Sequence, residues 1–101
     1  MTTTTRVTKT TKIGFRIEVE GAPQVDVAGW VGGAITFDPT YISGEWVENW
    51  YPENRYVVVR GVSKFGPLEQ EFALDPERTM KLRPLAPDWV LEVLEEAGID
   101  Y

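Results

Sequence analysis

Carboxylates are the most plentiful side chains in this sequence that could do chemistry: sixteen Asp and Glu stand against ten Lys and Arg, with no histidine and no cysteine. Glu45 and Glu48 flank Trp46 and Val47, close to Trp50 and Tyr51. Carboxylates set among aromatic faces are the equipment of glycoside hydrolysis or of sugar binding. Catalysis would need two acids positioned across a cleft, whereas most carboxylates of an acidic chain are simply solvated, so binding is the stronger expectation. The missing histidine removes the commonest general base and metal ligand. The missing cysteine removes thiolate nucleophiles, disulfides and sulfur-ligated zinc. Ser43 and Ser63 lie in no nucleophile elbow. Gly29 and Gly32-Gly33 match neither a P-loop nor a dinucleotide fingerprint, and no calcium loop of the D-x-D-x-D-G kind occurs. The sequence therefore leads us to expect no enzyme, no metal and no cofactor.

Charge is sorted into blocks. Arg6, Lys9, Lys12 and Arg16 come first, and the next basic residue is Arg55; the stretch between holds seven acids and six aromatics, Trp30, Phe37, Tyr41, Trp46, Trp50 and Tyr51. Residues 55–83 are mildly basic, and the tail from Pro84 carries five acids with no cation. A net charge of −6 argues against direct nucleic-acid binding, although Arg55, Arg60, Lys64, Lys81 and Arg83 lie near Tyr56 and Phe65. Acidic blocks imitating a phosphate backbone are an alternative, but this charge is modest for a mimic.

These residues must be positioned by one domain, which 101 residues comfortably fill. Ile13, Phe15, Ile17 and Val19 alternate with polar partners, as in a strand with one buried face. Gly21-Ala22-Pro23 is expected to turn the chain. Val25–Val31 and Ala34–Phe37 would then pair across a turn at Gly32-Gly33. Asp38-Pro39 has the form of a helix N-cap followed by proline, and Ser43-Gly44 could cap a second short helix, with a strand through Glu45–Glu48 as the alternative. Arg55–Val62 is dense in β-formers, Lys64–Pro67 turns it, and Leu68, Gln70, Phe72 and Leu74 alternate in the return strand. Met80–Arg83 gives a last short strand. Pro87–Ala97 reads as a helix: Trp89, Val90, Val93, Leu94 and Ala97 share a face, and Gly98 stops it. Trp30 and Trp89 are expected in the core.

The expected fold class is α+β, a small antiparallel sheet or partly open barrel of about five or six strands with one C-terminal helix. Residues 1–12 form a basic, threonine-rich arm ahead of a single domain at 13–101. That arm is either a frayed leader or an extended segment that pairs with a neighbouring subunit.

No apolar run is long enough to cross a bilayer, and the N-terminus lacks the apolar segment of a signal peptide, so no membrane association is expected. The expected location is the cytoplasm, or the host cytoplasm or virion if the chain is phage-encoded. In size, acidity and composition it resembles small accessory proteins of bacteriophages and mobile elements of high-GC bacteria, a likeness that assigns no residue. The expected function is non-enzymatic protein–protein interaction through Tyr41, Glu45, Trp46, Glu48, Trp50 and Tyr51. The two tryptophans would anchor a basic partner, and Arg6, Lys9 and Lys12 would reach an acidic block of a neighbouring copy. The alternatives are a coat, decoration or tail-associated subunit whose function is homo-oligomerisation, and a carbohydrate-binding module.

Overall fold

Alternating hydrophobicity governs most of the chain in the computed structural model, which describes residues 5–28, 33–45, 56–76, 79 and 83–99. Six antiparallel strands form a sheet that does not close, followed by one helix. The strands are β1 (Thr5–Thr10), β2 (Gly14–Glu20), β3 (Val25–Ala28), β4 (Ala34–Glu45), β5 (Tyr56–Ser63) and β6 (Gly66–Ala73), and the helix is α1 (Asp88–Glu96). Spatial order is β1-β2-β4-β5-β6, with β3 also paired to β4. An antiparallel sheet with a helix on one face is an α+β domain. Among the described residues no helix is long and apolar enough to cross a membrane.

The period of two decides which face is buried. Phe15, Ile17 and Val19 of β2, Phe37 and Ile42 of β4, Val57 and Val59 of β5 and Phe72 of β6 are all buried on one side. Val90, Val93 and Leu94 of α1 close over them, with Trp89 and Ala97 packed at the margin. Each fully buried aliphatic or aromatic side chain contributes about 1.5–3 kcal/mol of transfer free energy.

The helix ends as its sequence demands. Gly98 has φ +76°, its N–H donates to the Glu95 carbonyl at 3.1 Å, and the Ile99 N–H donates to the Leu94 carbonyl at 3.0 Å. That pair of bonds is a Schellman motif, with Ile99 and Leu94 both buried beneath it. Gly98→Ala is expected to cost about 1 kcal/mol, because a Cβ in the left-handed region is strained. A urea midpoint that does not move would contradict this.

Four expectations are corrected. Residues 38–45 are not helical but belong to the long strand β4. Pro39 fits there because the β4–β5 register shifts between Pro39 and Tyr41, an irregularity that tolerates a residue with no N–H to donate. Gly21-Ala22-Pro23 does not reverse the chain. β2 and β3 run in the same direction along β4: the seven-residue advance from Glu18 to Val25 spans only four positions of β4, Tyr41 to Phe37, so three residues are looped out. Ile13 is not on the buried face but exposed in the β1–β2 hairpin turn, where the Thr11 Oγ1 accepts from the N–H groups of Ile13 and Gly14 at 3.3 and 3.2 Å.

The fourth correction concerns the arm. Residues 5–10 are the first strand of the chain's own sheet, paired with β2 from Thr5–Glu20 to Thr10–Phe15. Arg6, expected to reach a neighbouring copy, forms an ion pair with Glu96 of its own acidic tail. Its position opposite Val19 puts it on the helix side of β1. There it neutralises a carboxylate at the C-terminal end of α1, where the helix dipole disfavours negative charge.

Candidate functional site

α1 packs on one face of the sheet, and among the described residues no helix or strand covers the other. Strand alternation and register place on it Val7 and Lys9 of β1, Arg16 and Glu18 of β2, and Tyr41 and Ser43 of β4. Beyond them come Tyr56, Val58 and Arg60 of β5 and Glu69 and Glu71 of β6. A groove of about 740 Å³ runs along it, floored in part by Gly14 and Gly44 and lined by Lys9, Arg16, Ser43, Glu45, Tyr56, Val58, Arg60, Glu69 and Glu71.

Tyr41 is the centre of this face. The Arg16 guanidinium lies 4.0 Å from its ring centroid and the Arg60 guanidinium 5.8 Å from it. Arg60 Nη1 also donates to the Tyr41 hydroxyl at 3.2 Å, and Arg60 Nε lies 3.7 Å from the Glu69 carboxylate. The hydrogen bond to Tyr41 is the leading cause that raises the Arg60 pKa above its ordinary value. Burial opposes the rise, and the Glu69 charge adds to it. Arg60 therefore keeps its charge at every physiological pH.

A second stack repeats the design. Arg83 lies 3.9 Å above the Tyr56 ring and donates through Nη2 and Nε to Glu71 Oε1 at 2.7 and 3.1 Å. Cation–π contacts at exposed sites are worth about 0.5–1 kcal/mol each, so their main effect is to hold long side chains in one pose. The face presents ring faces, guanidinium donors and paired carboxylates. Glu69 and Glu71 are both committed to arginines, and among the described residues no group of three or more metal-ligating side chains converges.

The expected site residues fall in three places. Tyr41 sits at the middle of the face, and Glu45, at the end of β4, lines the groove. Trp46, Glu48, Trp50 and Tyr51 lie outside the described residues, as does Trp30. Of the basic residues, Lys9 lines the groove, Lys12 is exposed in the β1–β2 turn, and Arg6 is on the opposite side of the sheet. From sequence, Arg16, Arg60, Tyr56 and Arg83 read only as nucleic-acid contacts and not as members of a protein-binding face. The available signal was parity: Arg16 and Arg60 occupy the polar positions of alternating strands. Comparison with known protein families, with characterised proteins and with solved structures gives no match.

Proposed function

We propose that this chain is a non-enzymatic protein-interaction domain that docks a protein on the open face of its sheet. The supporting observation is Tyr41, flanked by Arg16 and Arg60 on a face that no element of the chain covers among the described residues. Tyrosine and arginine are the residue types that concentrate binding energy at protein interfaces, and pre-ordered side chains lose less entropy on binding. β4 ends at Glu45 beside the groove, and the acidic aromatic segment to Tyr51 follows it in sequence. On this reading Trp46 and Trp50 extend the contact, and Glu45 and Glu48 select for basic groups on the partner.

The test is affinity capture from the source cells with immobilised wild-type protein, repeated with Tyr41→Ala and Arg16→Ala. A partner held by the wild type and weakened about tenfold or more by both variants, at unchanged melting temperature, is the expected result for a central anchor. Undiminished capture by both variants would remove the open face as the docking site.

A further inference from the structure

We infer that the partner on the open face is a second copy of this chain, bound face to face about a two-fold axis running along β4. The inference rests on the proposal that this face docks a protein, and it names which one. Lys9 and Arg16 stand directly opposite each other in the β1–β2 register. Like charges so placed repel within one chain, and among the described residues Lys9 has no ion-pair partner. An axis along the central strand lays β2 of one copy over β5 of the other, and β1 over β6, because the order is β1-β2-β4-β5-β6.

Register then decides what meets what. Lys9, Arg16, Ser43, Val58 and Glu71 form one row across the sheet, and Val7, Glu18, Tyr41, Arg60 and Glu69 form the next. Under the rotation Lys9 faces Glu71 of the second copy, whose Oε1 also accepts from Arg83. Glu18, 3.8 Å from its own Arg16, faces the second copy's Arg60, so each contact extends an ion pair already present within a chain. Each contact occurs twice, as an isologous interface requires. Gly14, which has no side chain, comes opposite Tyr56, and Tyr41 meets Tyr41 on the axis. The other in-plane axis, running across the strands, would set Arg16 against Glu18 but also Glu69 against Glu71, so its favourable and like-charge contacts offset each other. The axis along β4 makes no like-charge contact in these two rows. A five-strand face with strands about 4.8 Å apart is about 20 Å wide. The interface is thus at the small end of specific ones and sensitive to salt.

The experiment is sedimentation equilibrium of the intact chain at about 0.5 mM, a concentration suited to a small interface, at low and high salt. The expected mass at low salt is twice the 11.4 kDa of one chain, with association weakened about tenfold or more at high salt. Lys9→Glu and Glu71→Lys should each weaken the dimer about tenfold or more, because each places two like-charge pairs in it. The double variant, K9E with E71K, should restore it. Lys9 and Glu71 lie on the two outermost strands of the sheet order but line one groove, so the two single variants are also mixed. Recovery of a heterodimer, in which neither chain carries an opposite-charge pair of its own at positions 9 and 71, shows that the rescue is between chains. Glu45→Gln should tighten the dimer, since the axis brings Glu45 against its own copy.

A monomeric wild type at low salt, or a dimer indifferent to both single variants and disrupted instead by Thr8→Pro in the β1 edge, would overturn the inference. A monomer that still captures another protein through Tyr41 and Arg16 would leave the proposed function standing and sink only the self-pairing.

Discussion

Phe37→Ala is expected to lower folding stability by about 3–5 kcal/mol, a large part of the about 5–15 kcal/mol that holds a domain together. Phe37 is the largest fully buried side chain among the described residues, 1% exposed. It sits where the three parts of the fold meet. It pairs with Val25 at the start of β3, belongs to β4, and its ring lies against the backbone of Gly61 in β5. Truncation would leave a cavity bounded by backbone on the β5 side, which cannot collapse as a side chain would. Urea unfolding should therefore show a lowered midpoint with the slope preserved. Phe65→Ala is the control: that ring is 69% exposed at the β5–β6 turn, and its removal should change stability by no more than about 0.5 kcal/mol. Equal effects of the two changes would mean that Phe37 is not where the core is held.

How far the sequence revealed this architecture depends on which interactions decide each element. β2, β5, β6 and α1 are legible because their patterns are set by burial, which acts on every second residue of a strand or on one stripe of a helix. Gly98 was legible for a different reason: a left-handed stop is a local requirement. Asp38-Pro39 misled because an N-cap signature is also local, and tertiary pairing overrode it. Tyr41 and Ile42 lie between β2 and β5, and Ile42 is completely buried between Ile17 and Val59. Gly21-Ala22-Pro23 misled differently. Its composition announces an interruption, but only the pairing partner tells whether the chain reverses or loops out and continues.

Of the residues singled out from sequence for partner binding or assembly, Tyr41, Glu45 and Lys9 fall at the candidate site. Its other members come from separate strands, and which of them touch is fixed by register. Tyr41 and Arg60 are nineteen residues apart, and Arg6 and Glu96 ninety. Block charge did carry information of a kind. The basic leader and the acidic tail do meet, through Arg6 and Glu96, but they meet within one chain.

Gly61→Ala is expected to be nearly as damaging as Phe37→Ala, at about 3 kcal/mol, although it adds a single methyl group. A Cβ at Gly61 would overlap the Asp38 carbonyl oxygen and come within 2.7 Å of the Asp38 carbonyl carbon and 2.6 Å of Phe37 Cδ2. The first two obstacles are backbone. They lie beside the register shift at Pro39, so relieving them means moving β4 relative to β5 at the centre of the sheet. Gly44→Ala offers the contrast, because its nearest obstacle is the Phe15 ring at 2.6 Å, which can shift in part. The expected order of destabilisation is Gly61→Ala, then Gly44→Ala, read from urea midpoints. Combining Gly61→Ala with Phe37→Ala should cost less than the two separately, since removing the ring clears one clash, while the carbonyl clash remains. Strict additivity, or a Gly61→Ala cost below about 1 kcal/mol, would show that β4 and β5 can separate there without strain and that Gly61 does not set their approach.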